Sequence, residues 1–179
     1  MMKTIYKTFS VLVLAAAFTS CMGSKLEQTY NNQESKIDSY ISSKGEGYRS
    51  VRNGGANRLI IKEGEGEELS RNGFVSFYYA GYTFNGSFSS SNLFITNHQE
   101  TAEQAKWELT DADYQIYEIN FNDAKLTAGL KDGLLGVKAG EECEILFSGK
   151  YGFGNEEFGI IPANSAQLWK IWVVGVAND

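Results

Sequence analysis

Leu130-Lys131-Asp132-Gly133-Leu134-Leu135-Gly136-Val137-Lys138-Ala139-Gly140-Glu141 is the stretch whose reading decides the fold. Thr127 to Leu135 suits a short helix, with Thr127 as its N-cap because a hydroxyl there serves helix N–H groups that lack a partner. Gly136 and Gly140 bracket the exit from that helix. Behind them, Glu141 to Ser148 alternates as a strand, with Cys143, Ile145 and Phe147 sharing one face. On such a face the thiol is expected to be buried and inert rather than a nucleophile.

Further along, Gln167 to Val176 carries alternating large apolar residues and reads as the last strand. Its alternation sets Trp172, with Leu168 and Val174, on the face away from Trp169; the chain's own lead-in or a partner would cover that face. Between these two strands runs an irregular loop, Gly149 to Ser165, holding the chain's only proline, Pro162. Upstream, Phe74 to Thr83 places Val75, Phe77 and Tyr79 on one side and Ser76, Tyr78 and Ala80 on the other, a strand with one strongly buried face. Asn85-Gly86 then signals a hairpin turn, followed at once by Phe88. Ser89 to Asp113 is polar with scattered apolar residues and reads as an insertion, Tyr114 to Phe121 alternates again, and Leu59-Ile60-Ile61 makes a first strand. Five or six strands and one short helix imply an α+β domain in which an antiparallel sheet wraps a helix.

Three groups of residues together resemble the FKBP-type peptidyl-prolyl cis-trans isomerase family. They are Tyr79-Ala80-Gly81 with Asn85-Gly86, Phe88 and Ser90-Ser91; the helix and glycine turn quoted above; and Tyr151-Gly152-Phe153-Gly154 with Gly159-Ile160-Ile161-Pro162 and Asn164-Ser165. Their order and spacing agree over the chain from Asn57 onward. The resemblance implies an antiparallel β half-barrel wrapped around one short helix, with an apolar pocket between them that binds proline-containing polypeptide segments. The implied activity is rotation about the bond preceding proline, whose unaided barrier is about 18–20 kcal/mol. Carried over residue by residue, it makes Tyr79, Phe88, Phe153 and Trp169 the catalytic walls. Tyr117, Leu126, Thr127, Leu130, Ile160 and Ile161 become substrate contacts, Thr127 through its backbone N–H. Plain core packing is the other reading of each, open above all for Leu126 and Ile161.

Four departures from the family pattern stand out. Ser89 occupies a position usually held by aspartate, Phe153 one held by tyrosine, and Leu130 one commonly held by tryptophan. The segment between Ser91 and Tyr117, an insertion at about 92–114, is far longer than the usual connection. It serves either as a flap over the pocket through His98, Trp107 and Tyr114 or as a solvated loop anchored by Trp107. The function implied is therefore an active isomerase for exported proteins or, if the altered pocket no longer catalyses, a binding module acting as holdase or adaptor. The reaction requires no cofactor and no metal, and the single histidine has no second ligand at suitable spacing.

The N-terminus bears Lys3 and Lys7, an apolar run from Phe9 to Phe18, and small residues before Cys21. That run is too short for a permanent membrane span, which needs roughly 20 residues, and reads as a cleaved export signal. Residues 1–20 are thus expected to be a lipoprotein signal and 21–56 a lipid-anchored helical spacer and linker, with residues 57–179 as the domain. Cys21 would carry the lipid and anchor a monomer to a bacterial membrane, facing the periplasm. A secretory signal that merely contains a cysteine is the alternative. The formal net charge of -6 argues against nucleic acid as a partner.

Overall fold

The computed structural model describes residues 23–45 and 47–178 in full and the backbone of 2–22 as helix. The segment 1–20 expected to be a signal, and Cys21, expected to carry lipid, lie outside the residues described in full. The chain divides into two units, residues 1–32 and 33–179. Helix α1 (Met2–Ser43) supplies the first unit and, through residues 33–43, the start of the second.

Seven strands form one sheet in the second unit: β1 (Arg49–Asn53), β2 (Ala56–Lys62), β3 (Phe74–Phe84), β4 (Leu93–Thr96), β5 (Tyr117–Asn120), β6 (Glu142–Phe147) and β7 (Ala166–Ala177). They lie in the order β1-β2-β6-β7-β3-β4, with β5 pairing the first half of β3 while β4 pairs its second half. Every pairing is antiparallel. Two further helices complete the unit, α2 (Gln99–Gln104) and α3 (Ala128–Leu134).

Strand alternation divides the apolar residues between two faces. The inner face gathers Val75, Phe77, Cys143, Ile145, Phe147, Trp169, Ile171 and Val173 with Leu130 and Leu134 of α3. Helix α3 approaches the sheet closely because two of its residues lack a side chain. A Cβ on Gly129 would lie 2.2 Å from the Phe147 ring, and one on Gly133 would lie 2.2 Å from Ile145 Cγ2. The helix ends where expected, since Leu135 leaves helical geometry and Gly136 takes φ +82°, a region disfavoured for side-chain-bearing residues.

On the outer face Ala80, Tyr82, Phe84, Leu146 and Leu168 pack with Ile37 and Tyr40 of the second unit's helical segment, and Trp172 and Trp107 lie partly buried against them. The lead-in thus covers the Leu168 part of this face, while His98 stacks on Trp172 and Val174 stays exposed. Polar ties fix this segment: Tyr40 Oη donates to Glu144 Oε2 at 2.8 Å, Gln33 Nε2 donates to Asn164 O at 2.7 Å, and Gly149 N donates to Gln33 Oε1 at 2.9 Å.

Two strands exceed the sequence expectation. β1, Arg-Ser-Val-Arg-Asn, is an exposed edge strand with a single apolar residue, so it carries no alternation signal; Asn53-Gly54-Gly55 is its turn into β2 rather than linker. β4 arises inside the stretch read as insertion. Cys143 is buried, and burial pushes its thiol well above the ordinary range.

Candidate functional site

The inner face carries a ring cluster at the end where β3, β4, β5 and β7 meet. Trp169 packs against Tyr79 with ring centroids 5.9 Å apart and takes the edge of Phe94 at 5.5 Å. Tyr117 meets Tyr79 at 5.9 Å and Phe77 at 5.5 Å, both edge to face. Such geometries contribute about 0.5–1.5 kcal/mol per pair beyond buried area. Together these contacts hold the rings as a fixed wall.

Each ring is positioned by sheet register. Tyr79 is opposite Ile171 and Gly81 opposite Trp169 on β7. Gly81 has no Cβ, and one placed there would lie 2.8 Å from the Phe94 ring, so Phe94 lies directly over it. The Tyr79 backbone is held from β4's end: its N–H donates to Asn97 Oδ1 at 2.6 Å, and its carbonyl accepts from Thr96 Oγ1 at 2.7 Å. Burial first, and the neighbouring Tyr117 second, raise the Tyr79 hydroxyl above the ordinary phenol range, keeping it neutral.

Helix α3 has Thr127 as N-cap and carries Leu130, buried in the same inner core as Trp169; Leu126 packs partly buried against that core. Thr127 makes no side-chain cap bond, and among the described residues its buried Oγ1 has no partner. Trp169 Nε1 donates to Gln167 Oε1 at 2.9 Å, which fixes the indole plane. Gln167 is fully buried, and its Nε2 has no partner among the described residues. Buried polar atoms without a protein partner are suited to a water or a ligand carbonyl.

Of the residues expected from the sequence, Tyr79, Tyr117, Leu126, Leu130 and Trp169 share this packed cluster, with Thr127 at the head of its helix. Phe88 does not join them. It lies on the outer face, where Tyr82 meets its ring at 5.0 Å and Lys170 Nζ stands 4.0 Å above it. The reason is the length of the reversal after β3: the chain runs through a 3-10 turn at Ser90–Asn92 before pairing again, and the register shift between Gly81 and Tyr82 delivers Phe94 to the inner face instead. The Phe153 ring stacks on Phe158, centroids 4.7 Å apart, within the loop before β7. Ile161 is buried and bridged by its backbone to Phe158, while Ile160 is 76% exposed. The flap expected of His98 and Tyr114 is on the outer face, where both line a cleft with Trp172, and Trp107 packs against the outer core.

Sequence reasoning missed Phe94 and Gln167. Phe94 was concealed in a polar stretch, where Leu93-Phe94-Ile95-Thr96 is the short local sign of a strand. Gln167 was visible as the one amide in an apolar strand, a position that requires a buried hydrogen-bond partner.

Residues 65–174 match the model of the FKBP-type peptidyl-prolyl cis-trans isomerase family. The chain belongs to that family of enzymes, and its β sheet wrapped on α3 is the family's fold. It is 22% identical over 117 residues to FK506-binding protein 1 of Aspergillus oryzae, covering 65% of this chain and 94% of that protein. Among solved structures it is similar to a peptidyl-prolyl cis-trans isomerase from Pseudomonas syringae pv. tomato, with TM-score 0.59, 14% identity, and coverage of 85% of this chain and 96% of that one. FkpA from Escherichia coli gives TM-score 0.56 and 16% identity, covering 94% of this chain and 70% of that one.

Proposed function

We propose that the chain isomerises X-Pro bonds of exported polypeptides at the ring cluster formed by Tyr79, Phe94, Tyr117 and Trp169. The observation that carries this reading is the packing of those four rings on one another at the inner face of the sheet, whose core also takes in Leu130 of α3 and Leu126. Rotation about the peptide bond breaks amide resonance and reduces the charge separation between carbonyl oxygen and nitrogen. A water-poor aromatic wall therefore favours the twisted state over the planar one. The pyrrolidine ring would rest on Trp169 and Tyr79, and the Thr127 backbone N–H would donate to a substrate carbonyl. Leu126 and Leu130 supply the apolar floor. Ile160, Phe158 and Tyr117 are exposed at the rim and suit residues flanking the proline.

The protein is further proposed to act as a monomer at a bacterial membrane facing the periplasm, attached through acyl chains on Cys21. The charged, apolar and small-residue segments before that cysteine support this reading. Mass spectrometry of the protein from membranes tests it, and an unmodified Cys21 in an uncleaved chain would exclude it.

The full-length chain is expected to accelerate cis-to-trans conversion of a short proline peptide. Tyr117→Ala, whose ring is 40% exposed, is expected to lower kcat/KM roughly tenfold, the factor lost with about 1.4 kcal/mol of ring contact. A flat assay with retained binding of unfolded chains would replace the isomerase with a non-catalytic binding module.

A further inference from the structure

The outer face of the sheet holds a second hollow, separate from the ring cluster. Tyr78, His98, Tyr114, Trp172, Glu100 and Glu103 line a cleft of about 450 Å³, within the range of small-ligand sites. It is built by the segment between Ser91 and Tyr117, because His98, the N-cap of α2, packs on Tyr78 of β3 and Trp172 of β7 there.

Its rings are held in place. Tyr78 pairs with Trp172 across β3 and β7. The His98 ring lies flat on Trp172, centroids 3.9 Å apart and planes 6° apart, and stands edgewise to Tyr78 at 6.3 Å. His98 Nδ1 is 3.0 Å from Thr101 Oγ1, which fixes the imidazole orientation. Burial, the main cause, holds His98 below its ordinary range despite the opposing influence of Glu100 and Glu142, so the imidazole adds no positive charge.

The charge of the cleft is one-sided. Glu100 and Glu103 each accept a hydrogen bond from a glutamine one helical turn away, Gln104 and Gln99 respectively. Among the described residues neither carboxylate has an ion-pair partner, and no lysine or arginine lines the cleft. Aromatic faces next to uncompensated carboxylates attract an organic cation on an apolar stem, the stem lying on the rings and the charge reaching the carboxylates.

We propose that this cleft binds the ammonium or guanidinium group of a lysine or arginine side chain in a client polypeptide. The hollow and the ring cluster share one wall: Tyr78 faces the cleft and Tyr79 the ring cluster, and Asn97, one residue before His98, anchors the Tyr79 backbone. The proposal draws on the isomerase reading only for the polypeptide nature of the ligand's carrier.

The test measures binding without turnover. The indole N–H signal of Trp172 in the full-length chain is followed by NMR during titration with Nα-acetyl-lysine N-methylamide, its neutral norleucine counterpart, and butylammonium. The lysine amide is expected to saturate the Trp172 signal with roughly tenfold higher affinity than the norleucine amide, the factor that cation–aromatic attraction and two carboxylates supply. Glu100→Gln with Glu103→Gln is expected to remove most of that difference while leaving isomerisation of a short uncharged proline peptide unchanged. Equal affinity for the two amides, or unaltered lysine binding in the double variant, overturns the proposal. Butylammonium binding as tightly as the lysine amide would make the cleft a site for free cations and overturn the assignment to a client chain. Failure of the isomerisation assay alone leaves the cation measurement standing.

Discussion

Arg58→Met tests how α3, the helix that carries Thr127 and Leu130 to the ring cluster, is held. Arg58 is 5% exposed. Its Nη1 donates to Gly133 O at 3.0 Å and Leu135 O at 2.9 Å, and its Nη2 donates to Gly136 O at 3.1 Å. These carbonyls lie at the C-terminal end of the helix, where intrahelical donors are missing. Arg58 Nε is 3.3 Å from Glu141 Oε1, an ion pair not aligned as a hydrogen bond, and Glu141 is 1% exposed. Methionine keeps the apolar stem but removes every donor and leaves a buried carboxylate unpaired. Breaking a buried pair from one side costs about 3–5 kcal/mol, so the variant is expected to lose about that much at pH 7. Removing both charges, as in Arg58→Met with Glu141→Met, is expected to recover about 1–3 kcal/mol of it.

The pH dependence supplies the sharper check. Burial raises the Glu141 carboxyl above the usual carboxylate range, and Arg58 is the largest influence lowering it. A group raised in the folded state contributes stability that is complete below its unfolded value and lost as pH rises through the folded one. Without Arg58 the folded value rises further, each unit worth about 1.4 kcal/mol. The single variant should therefore regain stability as pH falls from 7 toward 5, and the double variant should not. Urea unfolding followed by tryptophan fluorescence at several pH values measures both. A single variant within 1 kcal/mol of the parent, or a deficit independent of pH, would refute the reasoning.

Two shorter predictions concern α3 and the loop before β7. Gly133→Ala puts a methyl 2.2 Å from Ile145 Cγ2, and calorimetry should show a loss of about 1–3 kcal/mol from overpacking α3 on β6; an unchanged Tm would mean that the helix shifts without cost. Phe158→Ala removes an exposed ring that stacks on Phe153. It is expected to leave Tm within a degree or two of the parent and lower kcat/KM severalfold through the rim, and an unchanged kcat/KM would take Phe158 out of the site.

What could be read in the sequence followed from backbone period. The alternation of Phe74 to Thr83 assigned Val75, Phe77 and Tyr79 to one face, and all three join the inner core or pack on it. The glycines about α3 marked the helix exit through Gly136, which takes positive φ. The rest depended on register, which no local pattern encodes. Phe88 follows its turn closely enough to look like a wall of the site, yet the reversal extends to Asn92 and a bulge opposite Gly81 gives that place to Phe94. Strand β1 was concealed because an exposed edge strand has no need of apolar alternation.

The altered positions are better understood by volume than one at a time. At residue 130 the family commonly has a tryptophan, and this chain has a leucine on a helix held tight to the sheet by Gly129 and Gly133. The inner core still contains an indole, because Trp169 enters it from β7, packs on Tyr79 and Phe94, and is oriented by Gln167. Phe94 likewise provides, from β4, the ring that Phe88 does not. An apolar wall for proline requires ring surface at the right depth and dryness, conditions indifferent to which strand supplies the ring. Here β4 and β7 supply it, and the same β4 segment, continued into α2, places His98 and the carboxylates behind the wall. One stretch of chain therefore contributes Phe94 to the proposed proline site on one face of the sheet and His98, Glu100 and Glu103 to the proposed cation cleft on the other.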